Sequence, residues 1–149
     1  MSHSSGTPAG PPGLEELIAA ADARDAKLRE TIAVGEAERV VGSARMAELT
    51  TIWKAAVRRH RAAKGLLTRA RKDGSADKIA AAAARERAAS AEADRILEDC
   101  QAEMDLIIRA GLDRLKGFHQ EWDQASDART AVTDALAQAR AQRREQRHS

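Results

Sequence analysis

A chain of 149 residues with 25 Lys/Arg against 23 Asp/Glu has room for one ordinary domain, and its formal charge of +2 singles out no class of partner. Only Trp53, Phe118 and Trp122 are aromatic, against 34 alanines, which excludes a conventional globular core and fits long helices that bury narrow seams. One cysteine, Cys100, cannot close an internal disulfide, so nothing calls for an oxidising compartment.

No uncharged apolar run approaches the roughly 20 residues that a membrane helix needs, and the first residues lack the basic and apolar regions of a secretory signal. A soluble, cytoplasmic protein with no membrane insertion is the expectation. All three prolines fall at positions 8, 11 and 12, and no alternating β-branched or aromatic run occurs after them. The fold class is therefore all-α.

Residues 1–13 are rich in Ser, Gly and Pro and have little to bury, which predicts a disordered tail, either a solubilising lead-in or a docking peptide. A first helix is expected over 14–71, with Glu15 and Glu16 complementing its N-terminal dipole. One seam repeats every seven residues: Leu14, Ala21, Leu28, Gly35, Gly42, Leu49, Ala56, Ala63, Ala70. The position four residues further on reads Ile18, Asp25, Ile32, Arg39, Met46, Trp53, His60, Leu67. A repeat held this long marks a coiled-coil-like element, interrupted at Asp25 and Arg39, about 85 Å long at 1.5 Å per residue.

The run Lys72-Asp73-Gly74-Ser75-Ala76 reads as a turn over 72–76. Arg69, Arg71 and Lys72 suit a helix C-terminus, Gly74 terminates it, Ser75 caps the next helix and Asp77 suits its first turn. So short a link makes the two helices antiparallel. The second helix is expected over 76–139, with a stripe that includes Ala93, Leu97, Cys100, Met104, Ile107/Ile108, Gly111, Leu115, Phe118, Trp122, Ala125, Val132 and Leu136. Arg129 falls on that stripe, and the basic segment 140–149 outruns the first helix and is expected to fray or to bind something.

Folding the chain back near Gly74 puts residue i opposite about 149 − i. Gly35 and Gly42 then come level with Gly111 and Gly117, which allows close backbone approach, a shared hinge, or a break of both helices into a four-helix bundle. The long antiparallel two-helix hairpin is the preferred fold and the bundle its alternative.

The same folding gathers charge. From Leu49 to Lys72 there is no acid, and between 58 and 91 ten Lys/Arg stand against Asp73, Asp77 and Glu86, a net +7. Such a concentration attracts polyanions. The candidate nucleic-acid contacts are Arg58, Arg59, Arg61, Lys64, Arg69, Arg71, Lys72, Arg85 and Arg87, against a simple solvated face, an acidic protein partner or an anionic membrane surface. With no aromatic there and no recognition-helix motif, binding to DNA or RNA would be largely independent of sequence.

Leu49, Ile52, Trp53, Leu97, Met104, Phe118 and Trp122 are the candidates for core or oligomer packing. Cys100 reads as a small buried hydrophobe. His119 and Asp123 share a helical face, but nothing else in the sequence converges to complete a metal site, and no phosphate loop or catalytic triad is present. The sequence thus points to a non-enzymatic interaction protein without cofactor or metal, a homo-oligomer with dimer favoured. It self-associates and docks a basic tip on nucleic acid, or alternatively serves as a scaffold or adaptor for protein partners.

Overall fold

Two residues separate the two helices. The structure, a computed structural model, describes residues 12–148, of which α1 (Leu14–Asp73) and α2 (Ala76–His148) account for all but the short ends and Gly74–Ser75. No strand occurs among the described residues, and the fold is an all-α helical hairpin. The sequence explains both ends of α1. The Gly13 carbonyl accepts the Leu17 amide (3.0 Å), and at the other end the Gly74 amide donates to the Ala70 carbonyl (3.1 Å). Gly74 has φ +75°, the left-handed geometry that glycine enters without steric cost, and the Ser75 carbonyl at once accepts the Ile79 amide (2.9 Å) to start α2.

The helices are longer than the sequence pattern predicts. Lys72 and Asp73 belong to the last turn of α1, so the link is Gly74–Ser75 alone and not 72–76. At the far end α2 does not stop at 139 but continues to His148, because Ala, Gln, Arg and Glu carry no helix breaker and Arg147 and His148 complement the terminal dipole. The basic segment from 140 is therefore helix, exposed throughout its described length. Most of the expected 1–13 tail lies outside the described residues. Both helices run unbroken through Gly35, Gly42, Gly111 and Gly117, so the four-helix alternative is not adopted.

The chain divides into two compact units, one of residues 37–113 and one of residues up to 36 together with 114 onward. In the first, which contains the turn, the buried residues are Leu49, Ala56, Ala63 and Leu67 of α1 with Ala93 and Cys100 of α2. Its register is fixed by direct contacts. The Cys100 thiol donates to the Leu49 carbonyl (Sγ···O 3.7 Å), and a Cβ placed on Gly42 would lie 3.2 Å from Ile107 Cγ2. Both pairs obey the expected 149 − i relation. At Gly42 the absent side chain is what permits the approach.

In the second unit the buried residues are Ala21 and Leu28 of α1 and Ala125 of α2. Here Arg24 hydrogen-bonds Gln124, Lys27 Nζ lies 3.8 Å from Glu121, and Gly35 faces Arg114. These pairs follow the same register. Buried positions on α1 in both units belong to the predicted seven-residue seam, with the exception of Leu67 near the turn, which is the one buried residue of the row four residues on.

Candidate interaction surfaces

The turn end carries the charge. Arg58, Arg59, Arg61, Lys64, Arg69, Arg71, Lys72, Lys78, Arg85 and Arg87 are all exposed, as sequence spacing alone requires for residues off a seam buried at Ala56, Ala63 and Leu67. Of these ten only Arg59 has an anionic partner among the described residues, Glu92 at 3.1 Å. Glu86, one of three acids between 58 and 91, is held by His60 at 2.9 Å across the helices. The nine remaining cations stand in water with Asp73 and Asp77 as the nearby acids. Hairpin closure therefore concentrates positive charge at the turn without neutralising it.

Below this end a cation is paired across the helices. Arg45 spans the helices to both oxygens of Glu103 (Nε 3.1 Å to each) and also reaches Glu48 at 2.9 Å along α1. Those hydrogen bonds, that to Glu103 first, raise the Arg45 guanidinium above its usual value, opposed by partial burial. Ile52 lies one heptad from both Arg45 and Arg59 and is exposed, beside an open hollow lined by Ala47, Glu48, Thr51 and Ile52. No group of three or more His, Cys, Asp or Glu side chains able to hold a metal occurs among the described residues. His119 and Asp123 are both exposed.

The packing candidates separate into two sets. Leu49 is buried, and Leu97, Met104 and Phe118 are partly buried. Ile52, Trp53 and Trp122 are exposed, Trp122 at 47%. Sequence placed both tryptophans on the buried stripe. The partner helix presents mostly Ala and Gly at its seam, which is too narrow to cover them. Leu115 and Leu136, assigned to the same stripe, are exposed for the same reason, and Arg114, Glu121 and Ala135 take the partly buried positions next to them.

What the sequence reading missed is a second seam. In the unit holding 114–148, the exposed residues Leu115, His119, Trp122, Ser126, Arg129, Thr133 and Leu136 recur at alternating spacings of four and three. One helix cannot turn this row and the row Phe118, Ala125, Val132 toward the same partner helix with equal burial. The 4–3 spacing was the available signal, hidden because both rows were read as one wide stripe. Arg129 links the outer row to α1: its Nε lies 3.6 Å from Asp25 Oδ1, and its guanidinium sits 5.6 Å from the Trp122 ring centroid. Two of the three charged interruptions of the apolar pattern, Asp25 and Arg129, thus answer each other. Phe118 braces the same ring at 6.1 Å.

The fold and these surfaces define the class: a two-helix hairpin with a cationic turn and an exposed apolar row. Compared with family models, with curated proteins and with solved structures, the chain matches none of them. No helix is long and apolar enough to cross a membrane among the described residues.

Proposed function

We propose that this chain is a non-enzymatic hairpin protein that self-associates and docks its cationic turn on nucleic acid, largely without regard to sequence. The observation that supports docking is the set of nine exposed Lys and Arg side chains between 58 and 91 that have no anionic partner among the described residues. Arginine and lysine spread over two adjacent helices near a turn can each meet a phosphate, and binding of this kind releases counterions. The test is fluorescence anisotropy with short duplex DNA and RNA over a salt series. Log affinity should fall linearly with log salt, with a slope of about −0.9 for each phosphate neutralised on B-DNA. Changing Arg58, Arg59, Arg69 and Arg71 together to Ala should weaken binding at least tenfold and flatten the slope. Unchanged affinity in that variant removes the docking reading.

A second reading, a scaffold or adaptor that works through protein partners, draws on the exposed large apolar residues away from the turn. It predicts no nucleic-acid binding at physiological salt and a discrete complex on co-purification.

A further inference from the structure

The unit formed by the N-terminal part of α1 and the C-terminal part of α2 buries Ala21, Leu28 and Ala125 while leaving Ile18, Ile32, Leu115, Trp122 and Leu136 in water. Leu28 is the one large side chain among these buried residues, against five large ones outside, which is the reverse of what a self-sufficient pair of helices does. The Asp25–Arg129 ion pair places the α1 row Ile18, Asp25, Ile32 and the α2 row Leu115, Trp122, Arg129, Leu136 on one side of this unit. They make one surface.

We infer that this surface receives a second copy of the chain, α2 packing antiparallel on α2 about a twofold axis at the level of position 124. The inference rests on the self-association reading and assigns its surface.

Three observations select a second copy over another occupant. The outer row is spaced four and three like a coiled-coil seam, so the matching shape is another helix. Under reversal two of its three pairs set a large residue against a small one. With the axis at position 124, Trp122 of each copy lies over Ser126 of the other and Leu115 over Thr133, while Leu136 closes the end of the seam. An isologous interface makes each such contact twice. Charge does not oppose the match: Arg129, the one Lys or Arg in the row, already has Asp25 beside it and the Trp122 ring beneath it. His119 comes opposite Arg129 of the second copy, whose charge is thus answered within its own chain.

The area also suffices. The exposures of Ile18 (42%), Ile32 (47%), Leu115 (52%), Trp122 (47%) and Leu136 (37%), at roughly 200 Å² per large side chain, leave about 900 Å² of apolar surface for two copies to cover. Stable interfaces begin at roughly 1,200 Å², so the apolar residues supply most of that area and the exposed polar members of the row are there to supply the rest.

The experiment is light scattering with mass determination on the full chain across a concentration series. Wild type should reach twice its single-chain mass of 16.1 kDa. Ser126→Glu alters an exposed position and introduces a good helix former, so the hairpin keeps its helical circular dichroism while the mass falls to that of one chain. Leu115→Glu should do the same, and Val41→Glu, at a position 70% exposed in the other unit, should leave the mass doubled. A Trp53→Phe chain gives a readout that survives any misfolding of those variants. Its remaining indole, Trp122, should shift its emission to shorter wavelength over the concentrations at which the mass rises. A doubled mass that persists in both glutamate variants, or a Trp122 emission that stays constant while the mass doubles, overturns this surface and leaves self-association standing. A single-chain mass for wild type at every concentration overturns both.

Discussion

The two units solve the same packing problem with different means. Between 37 and 113 the hairpin buries six residues of its own, among them Leu49, Leu67 and Cys100, and ties the helices together with Arg45–Glu103, Arg59–Glu92 and His60–Glu86. The other unit buries Ala21, Leu28 and Ala125, with Lys27–Glu121 and Asp25–Arg129 as its cross-links, and its largest apolar side chains face outward. The contrast teaches that a seam of Ala and Gly draws two backbones close but removes little apolar area from water. At about 25 cal/mol per Å² an alanine contributes a fraction of what a leucine does. The turn unit supplements its alanines with leucines and ion pairs. The other unit has fewer buried residues to set against its exposed Ile18, Ile32, Leu115, Trp122 and Leu136, although the turn unit too leaves large residues such as Trp53, Leu106 and Leu112 exposed.

That contrast can be broken most directly through the leucines. Leu49→Ala removes a side chain that is 3% exposed and should cost about 2–4 kcal/mol, lowering the thermal midpoint by the same amount at every protein concentration. Leu115→Ala, at 52% exposure, should lower it only at concentrations where copies pair, because the lost burial lies between chains. Melts followed by circular dichroism at several concentrations check both. A Leu115→Ala effect of equal size in dilute and concentrated samples would place its burial inside the hairpin and erase the contrast.

The glycines give a smaller and sharper comparison. Gly35→Ala should stabilise by about 0.5–1 kcal/mol, since the new Cβ meets nothing nearer than Arg114 Cδ at 4.0 Å and the helix loses its glycine penalty. Gly42→Ala should gain less than that or lose stability, because its Cβ would press on Ile107 Cγ2 at 3.2 Å. Equal gains at both positions would show that the close approach at Gly42 is not a constraint. The smallest expected effect is that of Arg59→Ala. Its ion pair with Glu92 is about half exposed on both sides, so solvent screening leaves it worth roughly 0.5 kcal/mol, measured by chemical denaturation.

Much of this was legible in the chain itself. Gly74 and Ser75 carry the reversal in their own backbone preferences, and the contacts Gly42–Ile107 and Leu49–Cys100 fall on the register that this reversal implies. The seven-residue row through Ala21, Leu28, Leu49, Ala56 and Ala63 is the buried one on α1, joined near the turn by Leu67 of the next row. Less legible were the helix ends. Lys72, Asp73 and the residues after Ala139 lie off the seven-residue pattern, and nothing in them breaks a helix, so both helices run on through them.

The sequence by itself determined the direction of the chain, the seam, and which cations cluster near the turn, because each follows from local backbone chemistry and a fixed rise and twist per residue. Which of two adjacent apolar rows on α2 turns inward is a different kind of question. Only the packed hairpin answered it, since it depends on how wide a face the opposite helix offers, and an Ala- and Gly-lined face accepts Ala125 and part of Phe118 and leaves Leu115 and Trp122 outside. The pairing of Asp25 with Arg129, residues 104 positions apart, likewise comes from tertiary structure, because a local pattern sees each as an interruption and not as half of a bond.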